Sequence, residues 1–156
     1  MPNATLKQID EFLKLERIAV VGVSRNEKEY SRAVFREMQT KGLPVVPVNP
    51  NVKQLDGTAC YASLKDVPPP LQGAILLTNP AEVERLISDC AAVGLTHVWL
   101  RGKGLRKGWS RETNALCDLC GMAIIEGHCP LMFLPDAVFI HRFHGWLMKM
   151  AGRYPR

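Results

Sequence analysis

No apolar run in this 156-residue chain approaches the length of about 20 residues that crosses a bilayer. The opening Met1-Pro2-Asn3-Ala4-Thr5-Leu6-Lys7 also lacks a basic segment followed by an apolar one. Neither a membrane partner nor a secretory leader is therefore expected, and a cytoplasmic location is. The five cysteines are odd in number and irregularly spaced, which suits reduced thiols better than a disulfide framework. There is no acidic excess: the formal charge is +5, a balance that suits an anionic small ligand. No helix-turn-helix and no basic sheet interleaved with aromatics accompanies that charge, so no nucleic-acid partner is expected. No carboxylate pair, triad or metal cluster stands out either, so no catalytic machinery is legible.

What is present reads as an ordinary globular protein, 47% hydrophobic and 22% charged, and long enough for one domain with its own core. Its most informative segment is Arg17-Ile18-Ala19-Val20-Val21-Gly22-Val23-Ser24-Arg25-Asn26. The valine-rich run predicts a parallel strand buried on both faces, over 17–23. Gly22 then permits a sharp turn, and a helix over about 30–41 follows. Strand, glycine turn and helix N-terminus together predict a phosphate cradle, because free backbone N–H groups and the helix dipole both favour an anion. Further strands are expected over 44–48, 73–77, 97–100 and 122–125. Further helices are expected over 5–15 with Thr5 as N-cap, over a stretch opened by Asn79-Pro80, and over 110–119. The prolines of Pro44-Val45-Val46-Pro47-Val48 suit a strand with some ladder positions free. The stretch 55–71 has no strong period, and Pro68-Pro69-Pro70 closes it as a stiff extended connector. This alternation predicts a five-stranded, mostly parallel sheet with helices on both faces over 1–136, and a helical extension over 137–156 packed on the same domain. Ligands of such sheets sit beyond the carboxyl ends of the strands, near the switch point.

The ligand is narrowed by missing residues. A dinucleotide fingerprint needs glycines where Ser24 and Glu27 stand, and an acid at the end of the second strand, where the chain reads Val48-Asn49-Pro50. NAD and FAD are disfavoured, and no Gly-Lys-Ser/Thr follows Gly22 to make a P-loop. Cys117-x-x-Cys120 falls at a helix end, where the dipole opposes a thiolate, so it reads as packing. His141-x-x-His144 has no evident third ligand. Phe139, Phe143, Trp146, Leu147 and Met150 form a stripe that suits a helix closing over the core, with a dimer contact or a membrane-surface helix as alternatives.

Several segments recur together in one known family: Val20-Val21-Gly22-Val23-Ser24 with Asn26, Val46-Pro47-Val48-Asn49-Pro50, and Gly57-Thr58-Ala59-Cys60-Tyr61-Ala62-Ser63-Leu64 with Asp66-Val67-Pro68. Val98-Trp99-Leu100 and His128-Cys129-Pro130 complete the set. Over 6–132 the chain resembles the small stand-alone CoA-binding proteins, whose Rossmann-like three-layer α/β domain is related to that of the succinyl-CoA synthetase alpha subunit. It departs at Thr78-Asn79-Pro80, where a more basic turn is common, and at Arg101, where glutamine is often seen. The resemblance implies coenzyme A or an acyl-CoA as ligand. Its pyrophosphate would lie on Gly22, Val23, Ser24 and Asn26, its nucleotide along Val48, Asn49 and Pro50, and its middle against Thr78, Asn79 and Pro80. Trp99, Leu100 and Arg101 would form the far side of the crevice. Arg25, Lys28 and Arg32 would balance the 3′-phosphate, or else form a solvated basic face. Cys129, beside His128 at a strand end, would either meet the ligand's thiol or simply pack. The expected function is a non-catalytic CoA sensor or carrier. The alternatives are a ligase- or transferase-like subunit needing a partner, and a nucleotide-responsive nucleic-acid regulator. A homodimer through the C-terminal helix is a further expectation.

Overall fold

The β-branched runs become the strands of one parallel sheet. The computed structural model describes residues 4–102 and 104–134. In chain order it holds α1 (Leu6–Leu13), β1 (Ile18–Val21), α2 (Tyr30–Thr40), β2 (Val45–Val48), β3 (Gln54–Leu55) and β4 (Thr58–Ala59). Then come β5 (Gly73–Leu76), α3 (Val83–Ala92), β6 (His97–Leu100), α4 (Arg111–Leu119) and β7 (Ala123–Glu126). The large sheet has the order β2-β1-β5-β6-β7, and every neighbouring pair in it is parallel. The expected mostly parallel sheet is thus wholly parallel, and the fold is α/β and Rossmann-like.

Register sorts the side chains into two cores. Val20, Ile75, Trp99 and Ile125 stand level across four strands and pack with Phe12 of α1 and Val34, Phe35 and Met38 of α2. Val21, Leu76 and Leu100 form a row on the opposite face, against Val83, Leu86, Ile87 and Cys90 of α3 and Cys117 of α4. Each large apolar side chain buried this way contributes roughly 1.5–3 kcal/mol. Gly73 allows the closest approach: a Cβ there would lie 2.5 Å from Leu15 Cδ1 and 3.2 Å from Phe12 Cε2.

Capping follows the expected residues. Thr5 caps α1 through Gln8, Ser110 accepts from the Thr113 N–H, and Asn79 accepts from the Ala81 N–H. The helix opened by Asn79-Pro80 begins as a 3-10 turn, Pro80–Glu82, before α3. β2 lies at the edge of the sheet, where its prolines cost least. Its outer side is met by the Tyr61 backbone, which bonds Pro47 and Asn49.

The stretch 55–71 is not featureless. β3 and β4 form a tight hairpin around Asp56 and Gly57, both at positive φ (49° and 75°). The Asp-Gly pair is a hairpin signal, but strands of two residues carry no alternation to reinforce it. The proline connector contains a cis Pro69–Pro70 peptide rather than a continuous extended run. Leu6 of α1 is 40% exposed, outside the apolar face formed by Ile9 and Phe12. The expected C-terminal helix, with His141, His144 and its aromatic stripe, and with it the division at residue 137, lies outside the described residues.

Candidate functional site

The strand order places the switch point between β1 and β5: β1 leads to α2 on one face, and β5 leads to α3 on the other. Two adjoining cavities open beside it, at the carboxyl ends of β5, β6 and β7, and the residues of β1 and its glycine loop line neither. The first, about 200 Å³, is walled by Ile75, Leu77 and Trp99, with Tyr30, Arg101 and Cys129 at its polar side. The second, about 470 Å³, lies over Thr78, Asn79 and Pro80. Leu77, Arg101 and Gly102 line both, so the two form one crevice.

The glycine loop is built largely by its own hydrogen bonds. Gly22, at φ 88°, donates to the Val48 carbonyl at 2.9 Å. The Ser24 hydroxyl accepts from the Asn26 N–H, and Asn26 Oδ1 accepts from the Lys28 N–H, each at 3.0 Å. Asn49 Nδ2 donates to the Val23 carbonyl at 2.8 Å and ties the end of β2 to this loop. Glu29 provides no side-chain cap to α2, so the positive pole of that helix is left to whatever lies beyond the loop.

The structure sorts the sequence-derived residues. Val23, Val48 and Leu100 are 0%, 3% and 0% exposed, so their side chains are core. Leu100 packs on the α3 face and is not at the crevice. Its assignment is corrected here, since alternation turns it away from its neighbours Trp99 and Arg101. Arg32 is corrected as well. Its guanidinium bonds both Asp56 oxygens, at 3.0 and 2.8 Å, and the carbonyls of Ser24 and Arg25, at 3.2 Å each. It shapes the loop from beneath and is not available to a ligand phosphate. These bonds, with those of Arg36, hold the Asp56 carboxyl down at about 2. Arg25 and Lys28 are exposed beside the loop, and Pro50 is exposed beyond β2. Trp99 is fully buried, donates from Nε1 to the His128 carbonyl at 2.9 Å, and presents its ring to the first cavity.

Tyr30 is the residue the sequence reading missed. As the first residue of α2 it read only as a helix start, yet its hydroxyl meets Cys129 Sγ at 3.2 Å. The Arg101 guanidinium lies 4.6 Å from the centre of its ring. Burial, and then the contact with Cys129, push the tyrosine hydroxyl well above its ordinary value. Cys117 is 1% exposed and its thiol is raised by burial, as a packing residue requires, whereas Cys120 is exposed. No group of three or more metal-ligating side chains occurs among the described residues.

Two features fit a phosphorylated, extended ligand. One is the uncapped start of α2. The other is Thr78, whose Oγ1 is buried without a hydrogen-bond partner among the described residues, although the residue lines the second cavity.

A family model described as the CoA binding domain matches residues 16–135. The chain belongs to that family. The domain is 27% identical over 128 residues to the alpha subunit of ADP-forming acetate–CoA ligase II from Pyrococcus furiosus, covering 78% of this chain and 28% of the ligase subunit. It is 36% identical over 72 residues to the uncharacterized protein YneT of Bacillus subtilis, covering 46% of this chain and 53% of that protein. It thus spans less than two thirds of either relative. A solved hypothetical protein from Pyrococcus horikoshii superposes with a TM-score of 0.69 at 24% identity, over 83% of this chain and 93% of that one, a likeness of fold.

Proposed function

We propose that this domain binds coenzyme A or a short acyl-CoA reversibly and acts as a sensor or carrier without chemistry of its own. The observation that carries the reading is the crevice at the carboxyl ends of β5, β6 and β7, next to the β1/β5 switch point. Tyr30, at the uncapped start of α2, lines one part of it, and Thr78, whose buried Oγ1 has no partner among the described residues, lines the other. The pyrophosphate lies at the loop of Gly22, Ser24 and Asn26 and the start of α2, where backbone N–H groups and the helix dipole favour an anion. The nucleotide lies toward Asn49 and Pro50, flanked by Arg25 and Lys28. The pantetheine passes Thr78, Asn79 and Pro80, and its thiol end enters the first cavity beneath Arg101.

A thermal-shift comparison of CoA with NAD at equal concentration tests this. CoA at about a hundredfold over its dissociation constant stabilises the fold by roughly 2.7 kcal/mol, and NAD does not. A larger shift with NAD would overturn the ligand assignment. The second reading, a ligase-like subunit completed by a partner, is favoured by the relatives named ADP-forming acetate–CoA ligases. Acetyl-CoA formation from acetate, CoA and ATP by this chain alone would favour an enzyme over both readings.

A further inference from the structure

We propose that the cavity beneath Arg101 selects short acyl thioesters whose acyl end carries a carboxylate, with Arg101 as the residue that reads the charge and Tyr30 as the residue that positions it. The inference rests on the CoA-binding reading of the crevice and names the class of acyl group.

The cavity is small and mostly apolar. Its volume of about 200 Å³ exceeds by a little the roughly 150 Å³ of an engineered cavity that holds benzene. It therefore has room for an acyl group of a few carbons. Ile75, Leu77 and Trp99 supply a dry wall, which suits methylenes and disfavours a phosphate. Arg101 sits at the border with the second cavity and, among the described residues, is the one with a fixed positive charge in the lining. No carboxylate among the described residues pairs with it. Its guanidinium is instead laid on the Tyr30 ring at 4.6 Å, and that ring is held by its hydroxyl against Cys129 at 3.2 Å. Stacking limits the freedom of a long side chain and leaves the in-plane N–H fork to meet a carboxylate with two donors. Arg25 and Lys28 are exposed beside the glycine loop, so the ligand's own phosphates have other cations. An apolar pocket with one oriented polar group at its mouth is how small-molecule sites set specificity.

Calorimetry with CoA, propionyl-CoA, valeryl-CoA, malonyl-CoA and glutaryl-CoA tests the proposal on the full chain. At least one of the two carboxylated thioesters should bind about tenfold more tightly than its neutral counterpart of equal length, the low end for hydrogen bonds to a charged group. Arg101→Gln should abolish that ratio by weakening the carboxylated thioesters more than CoA or the neutral ones. Tyr30→Phe, which keeps the ring, should preserve the ratio, and Tyr30→Leu should reduce it. Circular dichroism shows whether each variant is folded. Equal affinities for the carboxylated and neutral thioesters would overturn the proposal. So would an Arg101→Gln variant that loses CoA and all four thioesters alike, because Arg101 would then be reading the cofactor's phosphates. Binding of none of the five ligands by the wild type would instead overturn the reading of the crevice as a CoA site, and this proposal with it.

Discussion

Gly22 shows how one position serves both fold and site. A Cβ there would stand 2.9 Å from Thr78 Cγ2 and 3.3 Å from the Leu77 carbonyl, on a backbone already at φ 88°. The reason for glycine is thus the close passage of β1 and β5 as well as access for a ligand. Gly22→Val should destabilise the domain by about 1–3 kcal/mol and weaken CoA binding together, measured by urea denaturation and calorimetry. A variant of unchanged stability would show that the loop adapts. Arg32 and Asp56 form a second residue-level device. The lowered Asp56 carboxyl, at about 2, means that its stabilising contribution is complete above roughly pH 4 and is lost as the pH falls through 2. Asp56→Asn leaves the Arg32 fork, whose side chain is 6% exposed, without its anion. The substitution should cost about 1–3 kcal/mol near neutral pH. The gap to wild type should narrow between roughly pH 4 and pH 2, as urea midpoints across that range would report. A gap that stayed constant with pH would exclude the ion pair as its cause. At Cys129, serine still offers a partner to Tyr30, and a thiol makes only weak hydrogen bonds. Cys129→Ser should therefore leave CoA affinity within a few-fold, and a loss beyond tenfold would assign the sulfur a direct role.

At the scale of elements, helix starts do most of the positioning. α3 and α4 are joined at their first turns by Glu84, which accepts from the Ser110 N–H at 3.1 Å, from the Ser110 hydroxyl at 2.7 Å, and from Thr113. Those hydrogen bonds, Thr113 first, lower the Glu84 carboxyl below its ordinary value. The link sets where α4 begins, and so anchors the far end of the loop that starts at Arg101. Ser110→Ala removes both the cap of α4 and one donor to Glu84. It should cost about 1 kcal/mol by thermal denaturation, as for other serine caps. Asn79 and Thr5 were recognisable from the chain because a cap acts on N–H groups two or three residues away, so the signal is local. α2 and α3 lack a side-chain cap of their own, and Tyr30, the first residue of α2, lines the crevice.

For the whole molecule, the net charge of +5 and the exposed Arg25 and Lys28 predict salt-sensitive binding. Raising salt from about 0.05 to about 0.5 M shortens the Debye length severalfold and should weaken CoA markedly while leaving pantetheine, which lacks phosphates, nearly unchanged. Equal salt slopes for both would remove electrostatics from the reading.

The parallel strands, the doubly wound order of elements, most caps and the neighbourhood of the site were all legible in the chain. These depend on period, on β-branching and on glycine, proline and asparagine at nearby positions, which act over a few residues. Tertiary structure alone decided that Arg32 faces Asp56 across 24 positions, that Leu100 turns away from the crevice, and that Tyr30, Arg101 and Cys129 meet. Tyr30 and Cys129 are 99 residues apart in sequence, and no local pattern encodes such a pairing. It arises because parallel register brings the carboxyl ends of β1, β5, β6 and β7 to one edge of the sheet, and the loops leaving that edge share the same space.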